Sequence, residues 1–294
     1  MTWTAWRLSR SSAVAVGAVA ALSVMYLLWA GQQLRGSFAS TGLQECLAGG
    51  RIRQDCSDVA YTFFQLTRTM SGGQPVVGVL SLMPGLIGAF VGAPLVAREI
   101  ETGTLRLAWT QSVTRGRWLT TRSLVALLVV VLGVSVITAA LTFWRWPLDQ
   151  VDGRVEVNGY DVQGVVPAAY AVLAFCLGVA FGVLTRRVVT AIAATLGVFF
   201  LLRTLIETVV RPRLLSPVTL SFTGDPPTDL DARLKGAWLL EERIPRPGSG
   251  FPTVYTFQPA DRFWPLQLLE AGILLAISAA AVGLAFYWIR RRTH

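Results

Sequence analysis

Apolar residues gather into six stretches, each about as long as a helix that crosses a bilayer and holding at most one charged residue: residues 13–30, 75–97, 123–143, 165–185, 188–206 and 265–289. A helix rises about 1.5 Å per residue, so roughly 20 apolar residues cover the ~30 Å of hydrocarbon. The pattern predicts an all-α integral membrane protein of six spans. The first stretch follows Arg7 and Arg10, as a signal peptide would, but its length and the sequence "YLLWAGQQ", which has no small-x-small site, predict a retained anchor. Between the last two spans lies a loop, residues 207–264, rich in Pro and Gly. Its stretch "ARLKGAWLLEERI" places Leu234, Trp238, Glu241 and Ile244 near one face and predicts an external helix.

Composition agrees with the pattern. Hydrophobic residues make up 53% of the 294, charged residues only 15%, and the mean hydropathy is +0.54, too apolar for a water-soluble domain of this size.

The formal charge of +9 raises the question of a nucleic-acid partner, and its distribution answers it. With the N-terminus placed in the cytoplasm and the sides alternated, the cytoplasmic pieces hold twelve arginines against Glu99 and Glu101, a net +10. The rest of the chain sums to −1. This is the positive-inside asymmetry of a multi-pass plasma-membrane protein with both termini in the cytoplasm, and it leaves no charge that needs nucleic acid.

Several chemistries are excluded. The only lysine, Lys235 in "ARLKGAW", has no glycine loop before it, so the chain has no P-loop. The only histidine is His294, which removes Ser-His hydrolysis and HExxH zinc sites, and the six stretches contain no aspartate for an intramembrane dyad. No cofactor or metal is expected on this chain. Cys46 and Cys56 share an outer loop and are spaced for a disulfide, with free thiols as the alternative; Cys176 lies inside the fourth span and reads as a small apolar side chain.

Inside the spans, "GAFVG" (Gly88, Gly92) and "GVAFG" (Gly178, Gly182) are small-xxx-small patterns that let helices approach closely, within the chain or across a dimer seam. Pro84 and Pro94 are expected to kink the second span. Arg203 and Glu207 form an i, i+4 pair near the outer boundary of the fifth. Glu270 stands inside the last span with no partner in its local sequence, which makes it a candidate for the substrate path or for an inter-helix contact.

Residues 98–122, "REIETGTLRLAWTQSVTRGRWLTTR", stand apart as a basic, tryptophan-bearing segment between the second and third spans. Gly103 permits a turn after the second span, and residues 104–112 can form a short helix with Leu105, Ala108 and Trp109 on one face. On physics alone such a segment is either a docking element or a loop whose arginines meet anionic lipid and whose tryptophans sit at the interface. The N-terminal residues 1–12, with Trp3, Trp6, Arg7 and Arg10 near one helical face, predict an interfacial helix.

The run "GAPLVAREIETGTLRLAWTQSVTRGRWL", residues 92–119, resembles the permease subunits of bacterial, especially actinobacterial, type-2 ABC exporters, in its R-E-x-x-x-G-T-x-R pattern and the A-W-T-Q-S-V-T-R stretch that follows. "TWTAWRLSR" and "FQPADRFWPLQLLEAG" resemble the same family. The resemblance implies that residues 98–122 are a coupling helix set in a groove of a separate cytoplasmic ATPase, which would bind ATP and Mg. It implies that Glu99, Gly103, Thr104, Arg106, Trp109, Thr110, Gln111, Ser112 and Arg115 form the coupling segment. Glu99 and Arg106 would then be charged contacts, Gly103 the bend and Trp109 the packed anchor. It further implies a homodimer and a membrane-dipping outer helix acting as a lid before the last span.

The alternative is a non-transporting membrane anchor or sensor partner, which shares the topology without needing an ATPase-fitting loop. A membrane enzyme built on Asp225, Asp229 and Asp231 ranks below both.

Overall fold

The structure, a computed structural model, describes residues 2–46, 58–59, 61–63, 65, 73–103, 115–151, 153–155, 157–246 and 251–291. Six of its helices are long and apolar enough to cross a membrane: Ser12–Ser40, Val77–Glu101, Leu119–Asp149, Val166–Thr185, Val188–Arg213 and Ala260–Ile289. They are called spans one to six below. Most extend past the apolar stretches that announce them. The helix of span one runs unbroken over Thr2–Ser40, so the N-terminal residues continue span one as one rod. Span three, in the helix Arg115–Asp149, carries Asp149 as its last residue. Pro84 and Pro94 both lie inside the uninterrupted helix Gly73–Glu101 of span two.

Span four is the hub. It packs most extensively on span two and also touches spans three, five and six, whereas span one leans mainly on span three. Its small, apolar sequence "VPAAYAVLAFCLGVAFGVLT" suits that place, with fifteen of its twenty residues buried.

The two glycine pairs of spans two and four meet each other. A β-carbon on Gly88 would lie 2.5 Å from the Ala171 carbonyl oxygen, and one on Gly92 would strike the backbone of Phe175. From the other side, a β-carbon on Gly178 would lie 2.6 Å from the Ala93 nitrogen and one on Gly182 2.8 Å from the Ala93 oxygen. These small-xxx-small faces are therefore used within the chain, where close backbone approach maximises van der Waals contact between helices.

The stretch between spans five and six folds differently from its sequence expectation. A three-stranded antiparallel sheet occupies it, β1 (Val218–Phe222), β2 (Trp238–Arg243) and β3 (Thr253–Gln258), in the order β1-β3-β2. Val218 faces Phe257 in one ladder, and Trp238 faces Gln258 in the other, with an irregularity between Leu239 and Glu241. The external helix expected over "ARLKGAWLLEERI" is thus corrected to a one-turn helix, Leu230–Leu234, followed by a strand. Gly236, at φ +64°, turns the chain between them. Beyond it, the helical face expected of Trp238, Glu241 and Ile244 gives way to strand alternation, because the β-branched and aromatic run "TVYTFQ" of β3 supplies a partner that no local periodicity reveals. One end of the bundle carries this sheet. The other carries Arg98, Arg122, Arg186 and Arg187, and the two are called the sheet end and the arginine end.

Candidate functional site

The polar residues of the bundle gather at the sheet end, around Glu270 of span six. Glu270 is fully buried and receives a bidentate grip from Arg211, whose Nε donates to Oε2 and whose Nη2 donates to Oε1, both at 2.8 Å. The Tyr170 hydroxyl of span four donates to Oε1 at 2.9 Å. Arg211 also pairs with Asp161 at 2.7 Å, and Asp161 pairs in turn with Arg203 at 3.1 Å. Arg203 completes the chain by pairing with Glu207 at 2.6 Å and donating to the Ser81 carbonyl of span two at 2.9 Å. Three carboxylates and two guanidiniums thus link spans two, four, five and six.

Local backbone geometry explains how these charges converge. Arg203, Glu207 and Arg211 follow one another at four-residue intervals, which sets them on one face of a helix. Past Leu205 the helix widens over Ile206–Val210, and the Arg211 amide reaches back five residues to the Ile206 carbonyl. Such a wide turn is a local device found often at functional sites. Here it swings Arg211 inward, 1% exposed, where a shorter span five would have left it in the loop. Both guanidiniums sit over aromatic rings, Arg211 4.4 Å from the Tyr160 centroid and Arg203 5.1 Å from that of Tyr170. Burial, with the Glu270 carboxylate beside it, pushes the Tyr160 hydroxyl well above the usual phenol range.

Gln267, one turn before Glu270, secures the same end. Its Oε1 accepts from the amides of Val165 and Val166 at 3.0 and 2.9 Å, satisfying two free N–H groups at the start of span four. Its Nε2 donates to the Tyr160 and Gln163 carbonyls. The fit requires Gly164, at φ +73°, because a β-carbon there would lie 2.6 Å from Gln267 Oε1. Gln163 then donates to Asp149, which also accepts from Arg145 at 3.0 Å, so span three joins the set.

The arginine end holds two further carboxylates, Glu99 and Glu101. Glu99, at the exit of span two, pairs with Arg122 of span three at 2.9 Å. Glu101 accepts from the Val188 amide at 3.1 Å, the first residue of span five, a carboxylate placed favourably against a helix N-terminus. Gly103 follows at φ +74°, where the chain leaves the helix. These contacts surround both exits of the expected coupling segment. Thr104, Arg106, Trp109, Thr110, Gln111 and Ser112 lie outside the described residues, and Arg115 is described only as the first residue of the span-three helix. Cys46 closes the short helix Leu43–Cys46, while Cys56 lies outside the described residues; Cys176 is a buried free thiol.

Glu270, a candidate for the substrate path or an inter-helix contact, makes inter-helix contacts with Arg211, 59 residues away, and Tyr170, 100 residues away, which the local sequence could not reveal. Asp161, Arg211, Tyr170 and Gln267 were missed for the same reason. The available signals were the Arg203, Glu207, Arg211 spacing running on beyond residue 206, and Gln267 with Glu270 at i, i+3.

A family model described as ABC-2 membrane transporter related matches residues 16–211, which takes in spans one to four and span five through Arg211. No curated protein and no solved structure matches the chain.

Proposed function

The chain belongs to the ABC-2 membrane transporter related family, and from that premise we propose that it is the transmembrane permease subunit of an ABC exporter, driven by ATP hydrolysed on a separate subunit. Membership makes it a permease-like, multi-pass membrane component of an ABC system, associated with an ABC ATPase. The proposal adds the direction of transport, the site of force entry and the assembly. ATP and Mg are held by the partner ATPase. Residues 98–122 form the coupling segment, two copies of the chain make the pore, and both termini face the cytoplasm of a cell whose plasma membrane holds the complex.

The observation that carries this reading is the family match across the five spans that flank and support the basic segment of residues 98–122. Supporting it, the exits of that segment are tied to spans three and five through Glu99 and Glu101, so a push on it would reach both. Co-expressed with an ABC ATPase encoded beside it, the full chain should purify as a complex that hydrolyses ATP. A chain that purifies alone, with no ATPase retained, contradicts the proposal and favours a non-transporting anchor.

Orientation has its own check. Single cysteines in place of Thr110 and Leu240 should react with a membrane-impermeant maleimide from opposite sides, Leu240→Cys from outside. Labelling of both from outside would overturn it. In the same membranes, Cys46 and Cys56 should resist alkylation until reduced.

A further inference from the structure

At the sheet end, two glycines bring together two cationic side chains that come from distant parts of the chain. Gly153 (φ +82°) follows span three, and Gly236 (φ +64°) precedes β2. Their backbones touch, since a β-carbon on Gly153 would overlap the Gly236 α-carbon. Neither position tolerates a side chain, for its positive φ and, at Gly153, for want of space. Each glycine is next to a basic residue, Arg154 and Lys235, and both line one open cleft of about 390 Å³ between the sheet subdomain and the start of span six.

The side chains of the cleft are unequally committed. Asp149 is spent, its two oxygens taken by Arg145 and Gln163. Arg154 gives its Nε to Gln163 at 3.0 Å and lays its guanidinium 4.3 Å over the Phe263 ring, which fixes its direction and leaves its terminal amino groups without a hydrogen-bond partner among the described residues. Lys235, exposed, has no ion pair or hydrogen bond among the described residues. Asp261 adds one exposed carboxylate, and Trp264, 50% exposed, forms an apolar flank.

The geometry points to a binding site for a phosphodiester headgroup, with Lys235 and the Arg154 guanidinium on the phosphate and Trp264 against the adjoining apolar chain. A guanidinium held rigid by stacking offers paired donors to phosphate oxygens, and the ammonium acts as a point charge beside it. The Asp261 carboxylate disfavours a dianion, which selects a singly charged diester over a monoester. The volume suits a headgroup, and a tryptophan at the first turn of a span sits where the acyl region meets water. The same phosphodiester chemistry is presented by a bilayer lipid or by a cargo amphiphile.

The test uses the full chain purified in dodecyl maltoside, followed by thermophoresis against dihexanoyl phosphatidylglycerol, dihexanoylglycerol and inorganic phosphate. Dihexanoyl phosphatidylglycerol should bind saturably and dihexanoylglycerol should not. Lys235→Gln should weaken binding at least tenfold, Arg154→Gln likewise, and Asp261→Asn should tighten it a few fold. Inorganic phosphate, largely a dianion at neutral pH, should bind at least tenfold more weakly than dihexanoyl phosphatidylglycerol, and equal binding would overturn the phosphodiester assignment. Lys235 is exposed, so its variant keeps the wild-type melting temperature and isolates the site from folding. Unchanged affinity in Lys235→Gln, or equal affinity for dihexanoylglycerol, overturns the proposal.

Discussion

At the sheet end, buried charges of spans five and six and of Asp161, before span four, are paired in one network, with the Arg145–Asp149 pair of span three beside it; at the arginine end, Glu99 and Glu101 tie the end of span two to spans three and five. A charge taken out of water costs several kcal/mol unless it is matched, so the buried Arg211 and Glu270 side chains stay buried only because each completes the other. Such a network joins helices in one arrangement. In the proposed coupling role, Arg106 and Arg115 would meet a partner subunit instead.

Breaking the network at its centre gives the largest expected effect. Arg211→Met strands Glu270, removes one of the two partners of Asp161, and should lower unfolding stability in detergent by about 3–5 kcal/mol. The double variant Arg211→Met, Glu270→Met should recover much of that loss, because it removes the stranded Glu270 charge along with its partner. If the double variant is no more stable than the single one, the network is not held by mutual charge compensation.

The interface of spans two and four ranks next. Gly92→Leu drives a side chain into the Phe175 backbone and should cost about 1–3 kcal/mol, while Gly17→Leu, which faces open space, should cost little. Equal melting temperatures for the two variants would show that the glycine faces do not set the helix spacing.

Glu99→Gln at the arginine end should change stability least of the three, by about 1 kcal/mol, because it removes one ion pair near the surface. It should instead reduce transport-linked ATP hydrolysis. A loss of stability as large as that of Arg211→Met would erase the distinction between the two ends.

Legibility in the sequence divides along similar lines. The six spans could be read because each is a local property of about 20 residues, and the apolar run of span four is nearly coincident with its helix. Where a helix continues in polar residues, as span one does through "GQQLRGSFAS", apolarity stops announcing it before Ser40. The strand at Trp238 was invisible because its reason is a pairing with β3, and a helical period in "LLEER" competes locally with strand alternation. The network around Glu270 was invisible for a related reason. Its partners Asp161, Tyr170 and Arg211 come together only once spans four, five and six are packed.

The most direct test of force entry at the arginine end is the affinity of the full chain for its ATPase, measured in detergent for the wild type and for Trp109→Ala. Loss of a packed aromatic anchor typically costs ~2 kcal/mol or more, which weakens association more than tenfold. The account predicts that weakening with an unchanged melting temperature. Wild-type affinity in Trp109→Ala would contradict it.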